Sequence, residues 1–165
     1  MTRGAQEPRR RRATKARNAE KPLWTCPKCG ARFVTKNMSH SCGSFTIDAL
    51  LAKCGAKTRE TFVALTKAVM AIASDAVIVP QKTRAAFQLR TRFISVYPRR
   101  NHLLVGFVLT ERMPDPRFVK IEGPITNAFV HYARIAEAKE VDREVEAWIR
   151  ASLPYGRQAR PLGRG

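Results

Sequence analysis

The chain has 165 residues, with 31 Lys and Arg against 13 Asp and Glu, and a formal net charge of +18. That length holds one ordinary domain and a small accessory piece, and 44% hydrophobic residues are enough for a core. No apolar run approaches the roughly 20 residues of a membrane-spanning helix, and the Arg-rich start lacks the apolar stretch of a secretory signal. A membrane partner is therefore excluded and a cytoplasmic location expected.

Residues 1–21 carry eight Arg and Lys against two Glu with no hydrophobic period, so a disordered basic tail is predicted there. Such a run attracts polyanions without reading them; the alternative is a tail that only solubilises.

Residues 22–43 contain Cys26-Pro-Lys-Cys29-Gly and then His40-Ser-Cys42-Gly. Gly30 allows the tight knuckle that turns both thiolates of Cys26 and Cys29 to one point. Residues two apart on an extended segment share a face, so His40 and Cys42 can meet the same point. Three sulfurs and an imidazole suit a tetrahedral structural Zn2+ site, with no ligand position left for water. Trp24 and Phe33 are placed to cover it. A redox Cys-x-x-Cys would be expected beside a βαβ pattern, which this sequence lacks. Cys54 is the alternative fourth ligand, although its place on an apolar helix face suits a core thiol.

Thr46 caps a short predicted helix with Ile47, Leu50, Leu51 and Cys54 at helical spacing, and Gly55 stands where a C-cap glycine belongs. Thr58 is predicted to cap a second helix with Phe62, Leu65, Val69 and Ile72 along one face. After Asp75 the period becomes two. Strands are predicted at 77–80, at 87–93 (Phe87, Leu89 and Phe93 one way; Gln88, Arg90 and Arg92 the other), at 102–109, at 118–122 and at 129–135, with a turn at 97–101. A last helix is predicted over 139–153. Sequential strands with short connections imply an α+β domain at 44–153, an antiparallel β-meander sheet packed by two to three helices. Residues 154–165 read as a second disordered basic tail.

Trp24-Thr-Cys26-Pro-Lys-Cys29-Gly, His40-Ser-Cys42, Val79-Pro-Gln-Lys-Thr83, Val96-Tyr-Pro-Arg-Arg-Asn-His102-Leu, Pro116-Arg-Phe-Val-Lys120 and Phe129-Val-His131-Tyr together resemble a bacterial family built on domain of unknown function 5655. The resemblance spans roughly Trp24 to Tyr155. It implies a metal-binding front module and an α+β domain, and it transfers no activity.

Ten Lys and Arg lie between Lys82 and Arg134 against Glu111, Asp115 and Glu122, whereas the last helix is acidic. Positive charge therefore belongs to the sheet and its turns. Lys82, Arg84, Arg90, Arg92, Arg99 and Arg100 are the candidate phosphate contacts, with Tyr97, Tyr132 and His131 nearby as a platform for bases. A flat basic face of this kind suits DNA or RNA. A small phosphorylated ligand held by Lys82, Arg84 and His131 would require a concave pocket instead, and a protein-interaction module is the third reading. Catalysis finds little support: no nucleophile–base pair and no phosphate-cradling Gly-rich loop is present.

Overall fold

The computed structural model describes residues 22–34, 36–37, 40, 42, 45–125 and 127–158. The predicted tail at 1–21 lies outside the described residues. The chain opens with β1 (Trp24–Thr25) and β2 (Arg32–Phe33), paired antiparallel with Trp24 opposite Phe33. Between them Gly30 takes φ +72°, and the Cys26 backbone donates to the Ala31 carbonyl at 2.8 Å, closing the predicted knuckle.

Helix α1 (Ile47–Leu51) starts as expected, with the Thr46 hydroxyl accepting the Ala49 N–H at 3.1 Å. The next boundary differs. Gly55 is extended and forms the N-cap of α2 (Ala56–Ile72), not the C-cap of α1. Its N–H donates to the Arg100 carbonyl, and a Cβ there would stand 3.3 Å from that same oxygen. Thr58, expected as a cap, is buried within the first turn of α2 and donates its hydroxyl to the Arg100 carbonyl as well. Tertiary packing against the 99–101 turn decides the helix start.

Six strands follow: β3 (Val77–Pro80), β4 (Ala85–Gln88), β5 (Arg92–Pro98), β6 (Leu103–Leu109), β7 (Phe118–Ile125) and β8 (Ala128–Ile135). They form one antiparallel sheet in the order β3-β4-β5-β6-β8-β7. The α+β class and the helix-packed antiparallel sheet hold, and β3 to β6 run as a meander. The last hairpin is reversed, so that β8 is interior and β7 takes the edge. Composition explains it. β8 buries Ala128, His131, Ala133 and Ile135, whereas β7 carries Lys120, Glu122 and Pro124, residues that an edge tolerates.

The strand predicted over 87–93 is instead a hairpin. The chain folds back at 89–91, where the Arg90 and Thr91 N–H groups both donate to the Gly156 carbonyl (2.9 and 3.0 Å). Register slips next to Gln88, and both Phe93 and Ile94 enter the core. A bulge of this kind breaks strict alternation and increases local twist.

A single 3₁₀ turn at Ala138–Glu140 leads to α3 (Arg143–Gly156), capped by Asp142, which accepts the Glu144 and Val145 N–H groups. The helix passes the predicted stop at Leu153 and continues through Pro154 to Gly156. Arg157 then pairs with Asp75 through two 3.0 Å bonds. Helices α2 and α3 cover one sheet face, where Phe62, Leu65 and Val69 meet Phe87, Ile94, Val105, Phe107, Val145, Trp148 and Ile149.

Candidate metal centre and the arginine-lined cleft beside it

The ligand atoms of Cys26, Cys29, His40 and Cys42 all lie within 4.8 Å of one another. Cys26 Sγ is 3.6 Å from Cys42 Sγ, and Cys29 Sγ is 3.2 Å from His40 Nε2. Zinc–sulfur bonds of about 2.3 Å and zinc–nitrogen bonds of about 2.0–2.1 Å place tetrahedral donors roughly 3.5–3.8 Å apart, so the cluster has the size of a metal cage. The Phe33 ring packs 4.5 Å from His40, and Trp24 lies 6.0 Å from Phe33. This aromatic cover is the one expected from the sequence.

The thiols alone are in electrostatic conflict. Burial raises the Cys26 thiol, but N–H groups of Lys28 and Cys29 and the thiols of Cys42 and Cys29 outweigh it and leave Cys26 at about 6. Burial first, then the hydrogen bonds to Cys26 and Cys29 and their negative charge, push Cys42 up to about 11. A cation among them removes that conflict. Cys54 packs against the hydrophobic core near α1, and burial raises its thiol, as suits a core residue.

On the sheet face away from the helices, the metal hairpin sits over β3 and β4. The side-chain amide of Gln88, expected on an open face, is buried and donates to the Arg32 carbonyl. Between hairpin and sheet lies a cleft of about 660 Å³. Arg32, Arg84, Arg90 and Arg92 line it, with Phe33, Val77 and Val79 among its apolar residues, and no Asp or Glu is among the lining residues.

Arg84 is held rigidly. Its Nε donates to Gln81 Oε1 at 2.6 Å and its Nη1 to the Tyr97 hydroxyl at 2.8 Å, and the guanidinium lies 5.7 Å from the Tyr97 ring centroid. Those bonds use two of the five guanidinium donors and fix its plane. Desolvation first, then the charge of Arg84, lowers the Arg92 guanidinium below its ordinary range. Tyr97 continues into Tyr132, with ring centroids 6.4 Å apart. Tyr132 lies across Gly106, where a Cβ would come within 3.0 Å of its ring. Burial and then the Glu122 carboxylate, which accepts its hydroxyl at 3.0 Å, push Tyr132 up to about 12.

Of the six predicted phosphate contacts, the structure brings Arg84, Arg90 and Arg92 together. Lys82 stands exposed in the β3–β4 turn, and Arg99 and Arg100 lie in the β5–β6 turn; none of the three lines the cleft. His131 is not on this face at all. It is fully buried on the helix side, with Nε2 accepting the Met113 N–H at 2.9 Å and Nδ1 facing the Phe129 carbonyl at 3.3 Å. Those partners select the neutral ring with its proton on Nδ1. The trio Lys82, Arg84 and His131 is thus not assembled. Arg32 was missed by sequence reasoning. Its signal was available, since it is the cationic residue of the short strand between the knuckle and Phe33.

Burial, outweighing the Phe129 carbonyl, lowers the His131 pKa from 6.5 in the folded chain. The unfolded chain therefore binds the proton more readily, and the stabilisation is intact above about 6.5 and fades as pH falls below it through the folded value. Thermal melts from pH 7.5 to 5 should show a declining Tm, with a shallower decline in His131→Gln.

The family described as Domain of unknown function (DUF5655) matches residues 47–153. The chain belongs to this family. The DUF5655 match covers the six-stranded sheet and the helices, whereas the Cys26, Cys29, His40 and Cys42 cluster precedes it. The cleft is therefore composite: Arg84, Arg90 and Arg92 come from the DUF5655 domain, and Arg32 comes from the hairpin in front. No curated protein and no solved structure matches the chain. Among the described residues no helix is long and apolar enough to cross a membrane.

Proposed function

We propose that this is a cytoplasmic nucleic-acid-binding protein in which zinc, held by Cys26, Cys29, His40 and Cys42, plays a structural part and the arginine-lined cleft takes the phosphate backbone. One observation carries the reading: four arginines line one concavity, and no Asp or Glu is among its lining residues. Cationic side chains gathered in this way raise local anion concentration and exchange counterions for phosphates. Zinc fits because three sulfurs and an imidazole nitrogen gather within 4.8 Å of one another, and its role there is to hold the hairpin that forms one wall.

Replacing Arg84 and Arg92 together by Ala should weaken binding to a labelled oligonucleotide. It should also reduce the slope of log affinity against log salt by about 1.4 for a single strand, the loss expected for two phosphate contacts. Anisotropy titrations between 50 and 300 mM salt measure it, and an unchanged slope would remove the cleft from the binding surface.

The concavity favours a second reading, a small phosphorylated ligand. The cleft volume falls in the range of small-molecule sites, roughly 300–1,000 Å³. Competition of inorganic phosphate or mononucleotides against the oligonucleotide separates the two: micromolar displacement by a mononucleotide would make the small ligand the natural occupant.

A further inference from the structure

We infer that the cleft is built for single-stranded nucleic acid and discriminates against duplex; this rests on the nucleic-acid reading above. The first argument is size. A cleft of about 660 Å³ can enclose a few unpaired nucleotides but not a double helix, whose major groove alone is about 12 Å across. A duplex meets only the rim, where it reaches arginine tips and nothing of the floor.

The second argument is the composition of the wall. Phe33, Val77 and Val79 stand among the arginines, and this alternation of apolar surface with guanidinium planes matches a strand whose bases have left their stack. Bases pack on apolar and guanidinium surfaces while phosphates take the remaining donors. Arg84 already has the required orientation, since Gln81 and Tyr97 fix its plane before any ligand arrives.

The third argument concerns competitors within the chain. Gln158, the last described residue, lines the cleft. Residues 159–165 contain Arg160 and Arg164 and no acidic residue, and residues 1–21 are strongly basic. Neither segment complements the charge of the cleft, which leaves it to an external polyanion.

The test uses the full chain with its metal. A 12-nucleotide labelled single strand and the duplex of the same sequence are titrated at 150 mM salt, against the unmodified protein and Arg84→Ala/Arg92→Ala. An unlabelled trinucleotide serves as competitor. The expected result is a preference of at least tenfold for the single strand, displacement of the single strand but not the duplex by the trinucleotide, and a ratio near one in the double variant. Equal affinity for both forms that falls in the variant would overturn single-strand selectivity and leave the cleft as a nucleic-acid site. Binding of both forms that the variant leaves unchanged would overturn both readings. The ratio measured on the unmodified chain decides the selectivity even if the variant folds poorly.

Discussion

Stripping the metal should unfold the front hairpin and spare the rest. The core of the DUF5655 domain, from Leu51 to Ile149, takes no side chain from the described residues of the segment 22–45. Among its described residues the hairpin has two short strands of two residues each and one buried cysteine, Cys26, so a metal in the Cys/His cluster is expected to supply most of its stability. Structural zinc in modules of this size supplies roughly 10–16 kcal/mol of apparent binding free energy, far more than such a hairpin otherwise gains. The expected result is one zinc per chain by atomic emission, lost in Cys26→Ser and after chelation. The two tryptophans report separately, Trp24 in the hairpin and Trp148 in the core. In a Trp148→Phe background, chelation should shift the emission of Trp24 to that of a solvated indole, while the main thermal transition moves by only a few degrees. Loss of the main transition on chelation would show that the metal supports the whole fold. Because zinc needs thiolates and a neutral imidazole, acid should release it as well.

Trp148→Ala should be the most damaging change to the core. Trp148 is 2% exposed on α3. Its ring lies 5.6 Å from Phe107 on β6 and 4.4 Å from Phe118 on β7, with the Arg117 guanidinium 4.9 Å from its centroid. Arg117 in turn pairs with Asp142 and Glu144 at the start of the same helix, at 3.0 and 2.7 Å. One ring therefore ties the helix to an interior strand and to the sheet edge. Truncating a buried aromatic costs about 3–5 kcal/mol, and the polar cluster around Arg117 would lose its apolar support. A fall in Tm of more than 10 °C is expected. A loss under 1 kcal/mol by denaturant titration would mean that β7 is held by its pairing to β8 alone.

Local chemistry was legible where the sequence states it locally. The knuckle, the clustering of Cys26, Cys29, His40 and Cys42, the Thr46 cap, strand β3 and the core positions of α2 all follow from short-range spacing, and the structure places them as read. What failed depended on distant partners. Gly55 and Thr58 were assigned by the helix on either side of them, but the Arg100 carbonyl settles both. The alternation at 87–93 was sound as far as Gln88, and then the Gly156 carbonyl, more than sixty residues on, turned the chain. The order of β7 and β8 hinged on relative apolarity, which a search for sequential neighbours ignores. Arg90 and Arg92 were grouped as residues of one strand face, whereas the structure puts them at a turn, where both line the cleft. The flat basic face became a cleft because nothing in the spacing shows the hairpin folding over Gln88.

The end of α3 sets where this domain can be cut. Gly156 has no room for a side chain, since a Cβ would come within 2.9 Å of Phe93, and its carbonyl receives both amides of the turn that presents Arg90. Arg157 then fastens the same end to Asp75. A chain trimmed at residue 153, where the family match stops, would keep every buried strand yet leave that turn without its acceptor. The span matched by the family and the span that keeps the Arg90 turn anchored thus differ by a handful of residues, and the shorter one would be a poor substitute in any test of the cleft.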